Sequence, residues 1–122
     1  MPKTLDLVLV FVGGGMGASL RYLAGIALPY GTLFVNVVGC LLMGFLTYAT
    51  IYKLGTVPEH YRLLVAVGVL GGFTTLSGLA LELHESFLLD ELAKGIGAVC
   101  VNILASLVAI FLGVRLAGIF FA

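Results

Sequence analysis

Gly71-Gly72-Phe73-Thr74-Thr75-Leu76-Ser77-Gly78 interrupts an otherwise apolar stretch, and its reading decides the fold. Glycine costs a helix roughly 1 kcal/mol per residue, and Thr and Ser hydroxyls compete for backbone partners. Three glycines beside three hydroxyl residues therefore favour a local break. Carbonyls released inside a bilayer cannot be left to lipid, so such a break is tolerated where protein, water or a bound ion satisfies them. A plainer reading exists: Gly68 and Gly72 form a small-xxx-small pair that lets two helices approach closely. A third helix broken near its middle is the expectation, with the glycine contact as its alternative.

The surrounding composition sets the environment. Of 122 residues, 61% are hydrophobic and 10% charged, too apolar for an ordinary soluble domain of this size. Apolar runs over residues 5–20, 32–51, 63–83 and 96–119 are each long enough to cross about 30 Å of hydrocarbon. The expected fold is an all-α membrane protein, one domain over residues 1–122 with four transmembrane helices. The first run follows Lys3 and has small residues after it, but its glycines and the three further spans favour a retained helix over a cleaved signal. Residues 29–31 read as the first turn, 53–62 as the second, and 82–94 as an acidic connection of some helical character at the interface.

Charge gives little direction. With four crossings, Lys3, Lys53, Arg62 and Arg115 share one side and Arg21 and Lys94 the other, a weak instruction under the positive-inside rule. Insertion both ways up is compatible with that split, and four thin helices do not readily enclose a polar path alone. An oligomer is expected, and mixed insertion would permit an antiparallel one. Net charge is zero and no basic cluster points to nucleic acid. Cys40 and Cys100 lie within apolar runs and without metal-ligand spacing, and read as packing residues.

The buried polar residues are neutral donors. Asn36 sits among Leu33, Phe34, Val35, Val37 and Val38, where its amide serves either as interhelical glue or as part of a polar path. Asn102 and Ser106 are four apart and share a helical face. Together with Thr32, Thr74, Thr75 and Ser77 they favour a small anion stripped of water, or else hydrogen bonding between helices. Arg21 near the end of the first span either snorkels to the interface or raises anion concentration in a vestibule. Glu82, His84 and Glu85 read as a solvated helix end. No serine has a base and orienting acid in pattern, and Gly13 to Gly17 lack the Lys-Ser/Thr of a phosphate loop, so glycine packing is the simpler account and an enzyme is not expected.

In order along the chain stand Gly13-Gly14 with Gly17-Ala18 and Arg21-Tyr22, then Gly31-Thr32-Leu33-Phe34-Val35-Asn36 with Gly39, then Gly71-Gly72-Phe73-Thr74-Thr75 with Ser77, then Asn102 with Ser106. This series, one motif per span, resembles the Fluc/CrcB family of small bacterial fluoride channels. The resemblance implies an antiparallel, dual-topology homodimer in the bacterial inner membrane, with two fluoride pores at the subunit interface. It implies a structural sodium ion on the dimer axis, held by the backbone carbonyls of Gly71 and Thr74 from both copies. It places Asn36, Ser106, Thr75 and Ser77 on the fluoride pathway and Arg21 in its vestibule. One departure stands out: where the family reads Thr-Thr-Phe-Ser-Thr-Phe, this chain reads Thr74-Thr75-Leu76-Ser77-Gly78-Leu79. Leu76 and Leu79 can form an apolar pore wall but cannot offer the electropositive ring edges of phenylalanine.

The expected function is passive, selective fluoride export. Two alternatives remain at this stage. A proton-coupled exporter of the small multidrug type needs a membrane-embedded carboxylate in the first helix, where Asp6 near the start is the nearest candidate. A non-conducting or heterodimeric subunit would take the missing phenylalanines from a homologous partner.

Overall fold

The computed structural model describes residues 3–50 and 58–121. Four helical passes are long and apolar enough to cross a membrane: Thr4–Ala27, Gly31–Tyr48, Glu59–Leu88 and Leu92–Phe120. The first, second and fourth are single helices, α1 (Thr4–Ala27), α2 (Gly31–Tyr48) and α6 (Leu92–Phe120). The third pass is composite. It comprises α3 (Glu59–Tyr61), a π-helical stretch (Arg62–Leu70), α4 (Gly71–Phe73) and α5 (Ser77–Leu88). Between α4 and α5 the backbone of Thr74 is extended, with φ −83° and ψ 155°.

The third pass changes neighbours along its length. Its π-helical stretch and α4 pack on α1, whereas α5 packs on α6, and α2 lies against α6. Glycines make the close approaches possible. A Cβ on Gly13 would fall 2.9 Å from the Gly68 Cα, and one on Gly72 would fall 3.2 Å from the Ala18 backbone nitrogen. The Gly68/Gly72 pair therefore does serve as a helix contact surface, facing the Gly13–Gly17 face of α1. On the other side Gly113 of α6 meets the Leu41 carbonyl of α2, and Gly44 of α2 meets the Ile110 carbonyl of α6.

The acidic connection is much shorter than residues 82–94. Helix α5 runs on to Leu88, and only residues 89–91 link it to α6. Asp90 takes a left-handed φ of 58°, while the Glu91 N–H donates to Ser86 O at 2.8 Å and the Asp90 N–H to Phe87 O at 3.2 Å. This pair of bonds closes a helix C-terminus in the Schellman manner, with Asp where glycine is usual. The first turn falls at residues 28–30 as its Pro29-Tyr30 pair suggests. Of the second, Pro58 precedes α3 and Glu59 pairs with Arg62 one turn on; residues 51–57 lie outside the described residues.

Few side chains are buried within one copy, and large apolar residues such as Phe11, Leu104 and Phe111 project outward. In water that surface would be untenable, whereas in a bilayer it is the lipid-facing surface expected of a multi-pass membrane protein. The two cysteines are free thiols.

Candidate functional site: a polar cavity beside residues 74–76

Extending the chain at Thr74 removes backbone partners from the residues on either side, and side chains from two other helices, α1 and α2, replace several of them. The Thr75 N–H donates to Asn36 Oδ1 at 2.8 Å, and Asn36 Nδ2 donates to Thr75 O at 3.1 Å. The same Nδ2 donates to Asn102 Oδ1 at 2.9 Å, tying α2 to α6. Asn36 and Asn102 are 9% and 5% exposed, so these amides sit where an unpaired group is costly.

Carbonyls of the preceding turn are held in another way. Arg21 of α1 donates from Nε to Gly72 O at 3.0 Å, and Leu70 O accepts both the Thr74 N–H and the Thr74 hydroxyl at 3.2 Å. On the following side, Thr75 Oγ1 accepts from the Gly78 N–H at 2.9 Å, as an N-cap does, and lies 3.2 Å from Ser77 Oγ. Thr75 thus starts α5 with its hydroxyl while Asn36 holds its backbone.

Beside this network lies an open cavity of about 250 Å³ between α2, residues 74–76, α5 and α6. It brings together Asn36, Thr74, Thr75, Leu76, Leu79, Asn102 and Ser106, all singled out in the sequence, with Cys40, which read there as a packing residue. Arg21 and Ser77 are not in its wall: Arg21 is on the α1 side of the third pass, and Ser77 is exposed. Leu76 is 75% exposed and Leu79 4%, so the two leucines occupy different settings, one on the surface of the copy and one packed inside. Ser106 Oγ is buried and has no hydrogen-bond partner among the described residues. A buried hydroxyl left in that condition costs about 1–3 kcal/mol, which singles it out from the other polar groups of the wall.

Two residues carry more than their sequence setting indicated. Asn102 was legible as the polar partner of Ser106 on one helix face, and the structure makes it the hydrogen-bond partner of Asn36 as well. Glu82, read as a solvated helix end, accepts a hydrogen bond from the Thr32 hydroxyl at the start of α2. Its signal was the Thr32 hydroxyl at a helix start, but nothing in the linear order paired residues fifty apart.

Four membrane-spanning passes around a site of amides and hydroxyls define a polytopic membrane protein. The chain matches the CrcB-like protein, Camphor Resistance (CrcB) family over residues 8–114, and it belongs to that family. It is 37% identical over 118 residues to a protein of Rhizobium meliloti (strain 1021) named fluoride-specific ion channel FluC, covering 90% of this chain and 94% of the relative. A protein of the same name from Caulobacter sp. (strain K31) is 38% identical over 119 residues, covering 91% of this chain and 93% of the relative. Another, from Caulobacter vibrioides (strain NA1000 / CB15N), is 37% identical over 126 aligned positions, covering 95% and 98%.

Proposed function

We propose that this chain is a passive, fluoride-selective channel that lets fluoride leave the cytoplasm. Relatives bearing that name align along nearly its full length. The observation that carries the reading is Ser106: a buried hydroxyl without a partner among the described residues, beside Asn102, in a cavity whose wall offers amides and hydroxyls and no carboxylate. Such groups replace the water stripped from a small anion without fixing it by a full charge, so that it can move on. The pathway in this reading runs along Thr75, Leu76, Leu79 and Ser106, with Asn36 in its wall holding Thr75 and Ser77 at its edge. Arg21 contributes positive potential nearby while its Nε holds Gly72.

The working unit in this reading is an antiparallel, dual-topology homodimer in the bacterial inner membrane. The cavity is open, and Leu76 stands exposed at its wall, which supports a second copy closing it. The third helix is a broken transmembrane helix in this reading, supported by the extended Thr74. A structural sodium ion at the dimer axis belongs to this reading, on the following ground. Gly71 O and Thr74 O accept no hydrogen bond among the described residues, whereas Leu70 O and Gly72 O are both taken. Two such oxygens per copy are hard ligands suited to an alkali cation, which would hold the two copies together as a structural ion.

The test is fluoride efflux. Purified protein is reconstituted in liposomes loaded with potassium fluoride, a potassium ionophore is added, and external fluoride is followed with an electrode beside a chloride control. Fast fluoride release without chloride release supports a homomeric channel that works with Leu76 and Leu79 in place of phenylalanine. No release from folded dimers overturns it and points to a second, homologous subunit.

A further inference from the structure

Asn36 and Asn102 are the only side-chain amides in the chain, which has no glutamine. Their orientations are linked through the backbone of Thr75. A peptide N–H can only donate, so the Asn36 atom that meets the Thr75 N–H at 2.8 Å is Oδ1. Nδ2 of Asn36 therefore faces Thr75 O at 3.1 Å and has its second hydrogen for Asn102 at 2.9 Å. Since Asn36 donates there, Asn102 must present Oδ1, and its own Nδ2 is turned away. That Nδ2 makes no hydrogen bond among the described residues, and Asn102 lines the cavity one helical turn before Ser106.

We infer that Asn36 is a positioning residue, which takes its direction from the Thr75 backbone and passes it to Asn102, so that Asn102 Nδ2 is the amide that meets the anion. Both hydrogens of Asn36 are already committed to protein oxygens. The helix junction and the donor set are thereby one device: the direction of a single backbone N–H decides which amide is free. This inference rests on the channel reading above.

Asparagine-labelled protein (15N) in lipid bilayers gives two side-chain amide signals, assigned by their loss in Asn36→Asp and Asn102→Ala. In the unmodified protein the Asn36 hydrogens are expected to exchange slowly with water and the Asn102 hydrogens fast, and sodium fluoride is expected to shift the Asn102 signal alone. A fluoride-dependent shift at Asn36 alone, or at neither, overturns the assignment. Flux measured on the same liposomes separately decides whether the chain conducts at all. In Asn36→Asp the carboxylate accepts where the amide donated, so Asn102 turns its Nδ2 inward and its hydrogens become slow to exchange. Hydrogens that stay fast in a folded variant remove the positioning role; if the variant does not fold, the titration of the unmodified protein decides alone.

Discussion

Arg21 and Gly72, 51 residues apart, are joined by a hydrogen bond of 3.0 Å from the guanidinium Nε to the carbonyl oxygen. The carbonyl belongs to the last turn before the extended Thr74, where the helix offers no amide to it. A cationic donor at a half-buried site supplies what the backbone has lost, and hydrogen bonds to charged groups are the stronger kind.

Arg21→Ala removes that donor and leaves Gly72 O unpaired. The expected loss is about 1–3 kcal/mol of stability, with fluoride flux falling as the junction loosens. Arg21→Lys, a point charge without the planar Nε–H, recovers part of it. Thermal unfolding in detergent beside liposome flux measures both.

Two glycines of α6 give opposite expectations. A Cβ on Gly113 would overlap the Leu41 carbonyl and lie 2.9 Å from the Phe45 nitrogen, while one on Gly97 meets nothing within 4 Å. Gly113→Ala should cost about 1–3 kcal/mol by forcing α2 and α6 apart. Gly97→Ala should be neutral or stabilise by up to about 1 kcal/mol through helix propensity. Equal effects of the two would show that helix contact at Gly113 is not the governing factor.

Restoring the phenylalanines one at a time should separate fit from function. Leu79 is 4% exposed and borders the cavity, so a larger ring must displace its neighbours or enter that space, and Leu79→Phe should destabilise by about 1–3 kcal/mol. Leu76, at 75% exposure, accepts the larger group within a copy, and Leu76→Phe should leave the melting temperature nearly unchanged. Its flux should change, because a ring edge then stands at the cavity wall.

Ser106→Ala should raise or preserve stability while lowering fluoride flux. The hydroxyl has no partner among the described residues, so its removal relieves a buried polar group. A group that costs stability and is nevertheless needed for transport marks a functional site. Unchanged flux in this variant would take Ser106 off the pathway.

The membrane spans were readable because hydrophobic length alone determines them; the structure lengthens the first, third and fourth to Thr4–Ala27, Glu59–Leu88 and Leu92–Phe120. The contact role of Gly68 and Gly72 was also legible, since small residues four apart have few other uses inside a bilayer. The brevity of the link at residues 89–91 was not. Its left-handed residue is Asp90 rather than a glycine, so the acidic run disguised a helix end. Asn36 was recognisable as a buried amide needing partners, but a side chain that grips backbone leaves no mark on the residue it grips. Thr75 would be bound through its N–H and C=O whatever its side chain.

The change of neighbours along the third pass divides the protein by depth. Near α1 the pass belongs to one helical pair, and beyond Thr74 it belongs to another with α6. In a bilayer the two halves of the pass would then meet different helix arrangements, and a chain inserted the other way up would exchange these two cross-sections without altering a contact within the copy.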